Sequence, residues 1–311
     1  MTRVTRSVVA AGVAVLALPL PLALGSSAPT GKIAFVRDPL CKQGQAGHKT
    51  WNECGKGEIA VVSAGGGRIK ILTHDSVTEN DPVWSPDGKR IAFIRPKPHT
   101  SDQIWVMDAN GTHQRALTKL GTKPQLFGAD LEPALSWSPD GKSIVFSAFP
   151  TDQGGNEQLY RLGVRSRKVT QLTDAASGAT NPVWSPDGKW IAFVGSVAPD
   201  RIYLLAPRTH RTHALKTRKG ASVAGLGIAW SPDSKRLAYN AKGKVVAFDL
   251  TSRTFGTLAG QGDSPSWSED GGWVVFDSGD HLKEVRADGS GLHSILRFDS
   301  RTMRYYAPSW G

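Results

Sequence analysis

Five times along its length the chain repeats a phrase built on Trp-Ser-Pro-Asp-Gly or a near variant. It reads PVWSPDGKRIAFI from Pro82 to Ile94, LSWSPDGKSIVFS from Leu135 to Ser147 and PVWSPDGKWIAFV from Pro182 to Val194. Looser copies follow as IAWSPDSKRLAYN from Ile228 to Asn240 and PSWSEDGGWVVFD from Pro265 to Asp277. Their tryptophans are Trp84, Trp137, Trp184, Trp230 and Trp267, and a sixth, Trp310, stands one residue from the end. A period of roughly 40 to 50 residues belongs to solenoids, propellers and arrays.

Each unit reads as four short strands. In Ser-Pro-Asp-Gly, Pro presets the first turn position, Asp tolerates the second and Gly accepts positive φ, so the phrase is a tight turn behind a strand ending at Trp. Asp87, Asp140, Asp187, Asp233 and Asp270 are therefore read as turn residues. Alternating apolar runs such as Ile91-Ala92-Phe93 and Ile104-Trp105-Val106-Met107 supply the second and third strands, and a fourth ends in Leu-Thr. Four-stranded antiparallel sheets at this period are propeller blades. The ends set the number. Gly31 to Val36 is a second strand lacking its Trp strand, and Tyr306 to Gly311 is a Trp strand lacking its second strand. The expected fold is all-β, a six-bladed β-propeller whose closing blade takes one C-terminal strand and three N-terminal strands (about 32–37, 58–63 and 70–73).

Ahead of the repeats, Arg3 and Arg6 precede an apolar run from Val8 to Leu24 that gives way to Gly25-Ser26-Ser27-Ala28. This is the layout of a secretory signal peptide, and the run, with Pro19 and Pro21, is short of a membrane span. Residues 1–28 are assigned to the signal and 29–311 to the propeller, which places the protein in the periplasm, the cell envelope or the medium, without a transmembrane span in the mature chain. In that compartment Cys41 and Cys54 are the natural disulfide pair, which would stabilise by ~3 kcal/mol in the chain-entropy model. Two free thiols are the alternative, and a metal site with His48 lacks a fourth ligand.

The repeats resemble the WD40-like (PD40) repeats of the TolB-type six-bladed propeller. The resemblance covers nearly all of the expected mature chain and implies that the Trp strand of each blade is the innermost. True WD40 is disfavoured, because no Trp-Asp pair closes a blade. The α/β domain that precedes the propeller in TolB has no counterpart between the signal and the first strand. Such propellers serve as substrate-gating domains of prolyl-oligopeptidase-like and tricorn-like proteases and also as stand-alone exported proteins, so the resemblance speaks to fold more than to function.

Antiparallel strands sort the loops onto two faces. Turns between first and second strands, and between third and fourth, are uniformly short. The opposite face holds the long excursions, 38–57, 96–102, 119–132 and 149–156, and long loops beyond a fold's needs usually carry function. Acidic and amide groups gather there at the entrance to the Trp strands: Glu79 and Asp81, Asp130 and Glu132, Asn181, and Asp263. They would ring the channel mouth as a site for a basic peptide segment or a cation, with Tyr306 as an aromatic contact. Solvated loop carboxylates are the plain alternative.

The formal charge of +11 is uneven, since the segment from Arg161 to Lys219 has 11 Lys and Arg against 3 Asp and Glu. Arg165, Arg167, Lys168, Arg208, Arg211, Lys216, Arg218 and Lys219 form a basic flank on outer strands and turns of two neighbouring blades. It suits an anionic cell-envelope polymer or lipid headgroups, or serves as a solvated edge that blocks strand pairing. Nucleic acid is not expected, for want of interleaved stacking aromatics.

No catalytic residue is assigned, since HExxH, a GxSxG elbow and a phosphate loop are all missing. No cofactor is expected beyond a cation at the channel mouth. The first reading is an exported, monomeric, non-enzymatic propeller that binds a protein or peptide through its acidic long-loop face. The alternative is a propeller enzyme, a metal-assisted lyase or hydrolase of sugars or lactones, with its site in the channel mouth. A third is a structural envelope component held by the basic flank.

Overall fold

The repeated turn shows how the local sequence builds its sheet. Ser85 Oγ donates to Asp87 Oδ1 (2.6 Å) and accepts the Arg90 N–H (2.9 Å), while Asp87 Oδ1 also accepts the Lys89 N–H (3.2 Å). Gly88, at φ 63°, takes the left-handed conformation that the turn requires. The same Ser-to-Asp bond recurs at Ser138–Asp140, Ser185–Asp187, Ser231–Asp233 and Ser268–Asp270. All five aspartates thus hold turns together. The serine hydroxyl ties the end of the first strand to the start of the second.

The computed structural model describes residues 30–39, 42–46, 49–53, 56–75, 77–96, 102–119, 135–150, 155–195, 201–279, 281–297 and 303–311, with backbone alone at 38–53 and 303–307. Six four-stranded antiparallel sheets form the blades. From the centre outward, blade 1 is Asn80–Trp84, Arg90–Arg95, Gln103–Asp108 and Arg115–Ala116, and blade 2 is Leu135–Trp137, Ser143–Ala148, Gln158–Gly163 and Val169–Gln171. Blade 3 is Thr180–Trp184, Ile191–Val194, Ile202–Ala206 and Arg211–Ala214, and blade 4 is Leu226–Trp230, Arg236–Ala241, Lys244–Asp249 and Thr254–Ala259. Blade 5 is Asp263–Trp267, Trp273–Asp277, His281–Arg286 and His293–Arg297. The closing blade runs Met303–Trp310, Lys32–Pro39, Glu58–Ser63 and Lys70–Ile71. It is the composite of chain ends expected from the sequence. A hairpin, Lys42–Ala46 with Lys49–Glu53, extends from it.

The six Trp strands touch one another in a closed cycle, so they are innermost. Second strands such as Ile191–Val194 are buried throughout because each sheet is covered on both faces by its neighbours. One apolar cluster fills each of the six seams. Trp137 lies with Ile94, Ile104 and Val106 of blade 1, Trp230 with Val194, Ile202 and Leu204 of blade 3, and Trp84 against Ala34, Ile59 and Val61 of the closing blade. Arg90 and Arg236 cap two of the wedges, their guanidinium carbons 4.8 and 4.5 Å from the ring centroids of Trp137 and Trp267 on the next blade.

The 1–28 segment assigned to a signal, and Cys41 and Cys54, lie outside the described residues. Among those residues, no helix is long and apolar enough to cross a membrane.

Candidate functional site

A cavity of about 770 Å³ occupies the axis of the ring. Every inner strand contributes its Trp and the residue before it: Val83, Ser136, Val183, Ala229, Ser266 and Ser309. Asp81 marks the end facing the long loops, and Pro86, Asp87, Pro139, Pro186, Pro232 and Glu269 mark the end formed by the short turns. The lining is thus aromatic and apolar, interrupted by hydroxyls, with carboxylates at its ends. The indole N–H groups of Trp84 and Trp184, both lining residues, are buried without a protein acceptor.

The residues that open the inner strands share a backbone peculiarity. Asp81, Asn181, Gly227 and Ser264, each three positions before its Trp, have φ of 51°, 52°, 56° and 46°. The ladder to the second strand slips at the same four places. An extra residue in a left-handed conformation makes a bulge, and Gly, Asn and Asp are the residues that accept it. Asp81 and Asn181 therefore have a conformational reason to be where they are, alongside any part in binding. Asp81 is 5% exposed and lines the cavity, and the Asn181 Nδ2 is buried without an acceptor.

Glu79 sits elsewhere than at an open mouth. It is 1% exposed, and its Oε1 accepts from Arg95 Nη2 at 2.6 Å. The same Nη2 donates to Asp75 Oδ2 (2.7 Å) and Gln114 Oε1 (3.1 Å), and the guanidinium lies 4.2 Å from the Trp105 ring centroid. This network stitches the connection leaving the closing blade to three strands of blade 1. Burial pushes the Glu79 carboxyl up to about 7, against the lowering pull of Thr73 and Arg95. Asp263, by contrast, is exposed; its Oδ1 accepts the Ser264 N–H at 3.2 Å, and surrounding protein raises its carboxyl by desolvation. Asp130 and Glu132 lie outside the described residues. Tyr306 belongs to the inner strand opposite Val36, and only its backbone is described. Among the described residues no group of three or more His, Cys, Asp or Glu could hold a metal ion.

All eight residues of the basic flank are exposed. Arg165, Arg167 and Lys168 occupy the turn between the third and outer strands of blade 2, with Arg208 and Arg211 at the equivalent place in blade 3. Lys216, Arg218 and Lys219 lie on a small hairpin closed by a Lys216–Ser222 bridge. The Arg218 N–H donates to the Arg253 carbonyl at 3.0 Å, which draws the corresponding turn of blade 4 into the flank. Sequence reasoning missed Arg253 because it lies beyond the charge-rich segment. Its place in the repeat, just before an outer strand, was the available signal.

The family model described as the TolB beta propeller domain (PD40) matches residues 125–311. The uncharacterized peptidase YuxL of Bacillus subtilis is 28% identical over 240 residues, covering 73% of this chain and 33% of its own length. The uncharacterized protein Atu1656 of Agrobacterium fabrum is 28% identical over 196 residues, covering 60% of this chain and 62% of its own. The chain thus spans about a third and about three-fifths of these two curated relatives. Among solved structures, TolB from Acinetobacter baumannii superposes with a TM-score of 0.69 at 21% identity, covering 91% of this chain and 67% of that one, a likeness of fold. With the repeats, the six closed blades and the family match in agreement, the chain belongs to the TolB beta-propeller domain family.

Proposed function

We propose that the protein is an exported, non-enzymatic propeller that binds a protein or peptide segment at the acidic, long-loop end of its channel. The observation that carries this reading is the lining of the axial cavity. Aromatic and proline faces offer apolar contact, the Ser136, Ser266 and Ser309 hydroxyls offer hydrogen bonds, and Asp81 sets a carboxylate at one end. A peptide presents both donors and acceptors along its backbone, so a mixed lining of this kind suits it. Asp263, Asp130 and Glu132 would extend the acidic rim and favour a basic segment.

The test is affinity capture from envelope extract with the parent chain and with Asp81→Asn/Glu132→Gln/Asp263→Asn, a variant that keeps a residue tolerant of left-handed backbone at position 81. Loss of a captured protein, with the melting temperature held, is the expected result. Equal capture by both chains would remove the acidic mouth from the binding site.

A further inference from the structure

Three successive blades share an unusual turn. Between the third and outer strands of blades 2, 3 and 4, Arg167, His210 and Arg253 have φ of 57°, 56° and 56°. Each donates its N–H to the carbonyl four residues back, Gly163 (2.7 Å), Ala206 (2.9 Å) and Asp249 (2.8 Å). Glycine takes this conformation without steric cost, and blade 5 uses Gly289 and Gly291, at φ 87° and 66°, in its own version of the turn. Histidine stands in this conformation at His210 and also at His113 of blade 1, but in blades 2 and 4 the position carries a long arginine side chain, which points to a use for the side chain.

Their surroundings agree. Arg167 and Arg253, with the neighbouring Arg165, Lys168, Arg208 and Arg218, are exposed, and among the described residues none forms an ion pair. The acid within these turns, Asp249, is half-buried and accepts the Thr251 and Ser252 N–H groups (2.9 and 2.7 Å). The other half of the rim differs: in blade 1 Asp108 binds His113 at 2.7 Å, and blade 5 carries Asp288. Exposed positive charge is therefore densest over an arc of three blades, while the closing blade adds Arg68 and Lys70 at its own turn and blade 1 adds Arg115. Beside Arg253, Phe255 is 63% exposed, a flat apolar face next to the cations.

We propose that this arc docks a linear polyanion, a chain polymer bearing phosphate or carboxylate groups at regular intervals. The exposed cations act as positive charges, which phosphate and carboxylate groups both attract. The turns recur with the blades, so the cations are set at repeated steps around a convex edge. A flexible polymer can follow such an edge, whereas a flat bilayer meets it over a small part of its length. The surface is separate from the channel and goes beyond the reading above.

The experiment measures binding of the purified chain to labelled polyphosphate and polygalacturonate by fluorescence anisotropy across a salt series, with phosphatidylglycerol vesicles in a parallel sedimentation assay. Binding to at least one polymer that weakens steeply with salt is expected, as released counterions require. Arg167→Gly/Arg253→Gly should weaken it by about 10-fold while the melting temperature holds or rises, because glycine relieves the turns. Arg167→Lys/Arg253→Lys should stay within about threefold of the parent. Absence of polymer binding at low salt, or glycine variants that bind as the parent does, would overturn the proposal. Binding to vesicles alone would replace it with a membrane surface.

Discussion

Lys32 and Gly311 exchange both of their backbone hydrogen bonds, the Lys32 N–H reaching the Gly311 carbonyl at 2.7 Å and the Gly311 N–H returning to Lys32 at 2.8 Å. Beside them, the Trp310 indole donates to the Thr30 carbonyl (2.8 Å), and its backbone N–H donates to Ser266 Oγ on blade 5 (3.0 Å). One inner strand thus serves the closing blade and the seam before it. Pairing the chain ends in this way leaves the ring without an open gap.

Trp310→Ala should destabilise by about 3 to 5 kcal/mol, the usual range for emptying a large aromatic site in a core. Gly311→Ala should also destabilise, by about 1 to 3 kcal/mol, because its new Cβ would run into the Trp84 indole. Urea denaturation followed by tryptophan fluorescence reads both. A midpoint unmoved by Trp310→Ala would mean that the closing seam contributes nothing to global stability.

Neighbouring inner strands are joined in two ways, depending on the residue before Trp. Ser136 Oγ accepts the Trp184 N–H (3.0 Å) and Ser309 Oγ the Trp84 N–H (3.3 Å), whereas the Val83 and Val183 carbonyls accept the indoles of Trp137 (3.2 Å) and Trp230 (3.0 Å). Ser136→Ala should therefore cost about 1 to 3 kcal/mol by stranding a backbone donor. Val83→Ala keeps the carbonyl and should cost about 1 kcal/mol or less. Equal losses in the two variants would show that side-chain bulk, not the hydrogen bond, matters at this position.

The blades were legible because each repeat states its own turn, strand and wedge, and because the two incomplete units complement each other. Position-specific meanings were harder to read. Asp81 and Asn181 look acidic and polar in sequence, but alongside Gly227 and Ser264 they form a set of residues suited to left-handed backbone. The pairing of Glu79 with Arg95 depends on Asp75, Gln114 and Trp105 arriving from separate segments of the chain, and no local pattern announces it. Arg253 escaped for a related reason, since charge counted along the chain does not register a turn brought close by a hairpin from the previous blade.

The repeated turns should respond to acid. The Ser85 and Ser138 hydroxyls hold Asp87 and Asp140 below the usual carboxylate value of 3.8. A lowered folded pKa adds stability that is present above the unfolded value and is lost as pH falls through the folded one. Asp87→Asn/Asp140→Asn should thus be less stable than the parent at pH 7, by about 1 kcal/mol in total. The gap should close below about pH 4. Urea midpoints from pH 2.5 to 7 read this, and a gap independent of pH would assign the loss to turn geometry instead of charge.

Glu79 should act in the opposite sense. Burial raises its carboxyl from 4.5 to about 7, so between these values the folded protein binds more protons at this site than the unfolded chain does. Stability from this group is fully present below about pH 4.5, declines as pH rises and is lost above about pH 7. Glu79→Gln removes the titration and keeps an oxygen facing Arg95, while Asp75 continues to hold the guanidinium. The parent should lose about 1 to 3 kcal/mol more than this variant between pH 5 and pH 8. Paired urea titrations at half-unit steps decide the matter. Parallel curves for the two proteins would show that Arg95 keeps Glu79 ionised throughout, and that the ion pair offsets the desolvation of the carboxylate.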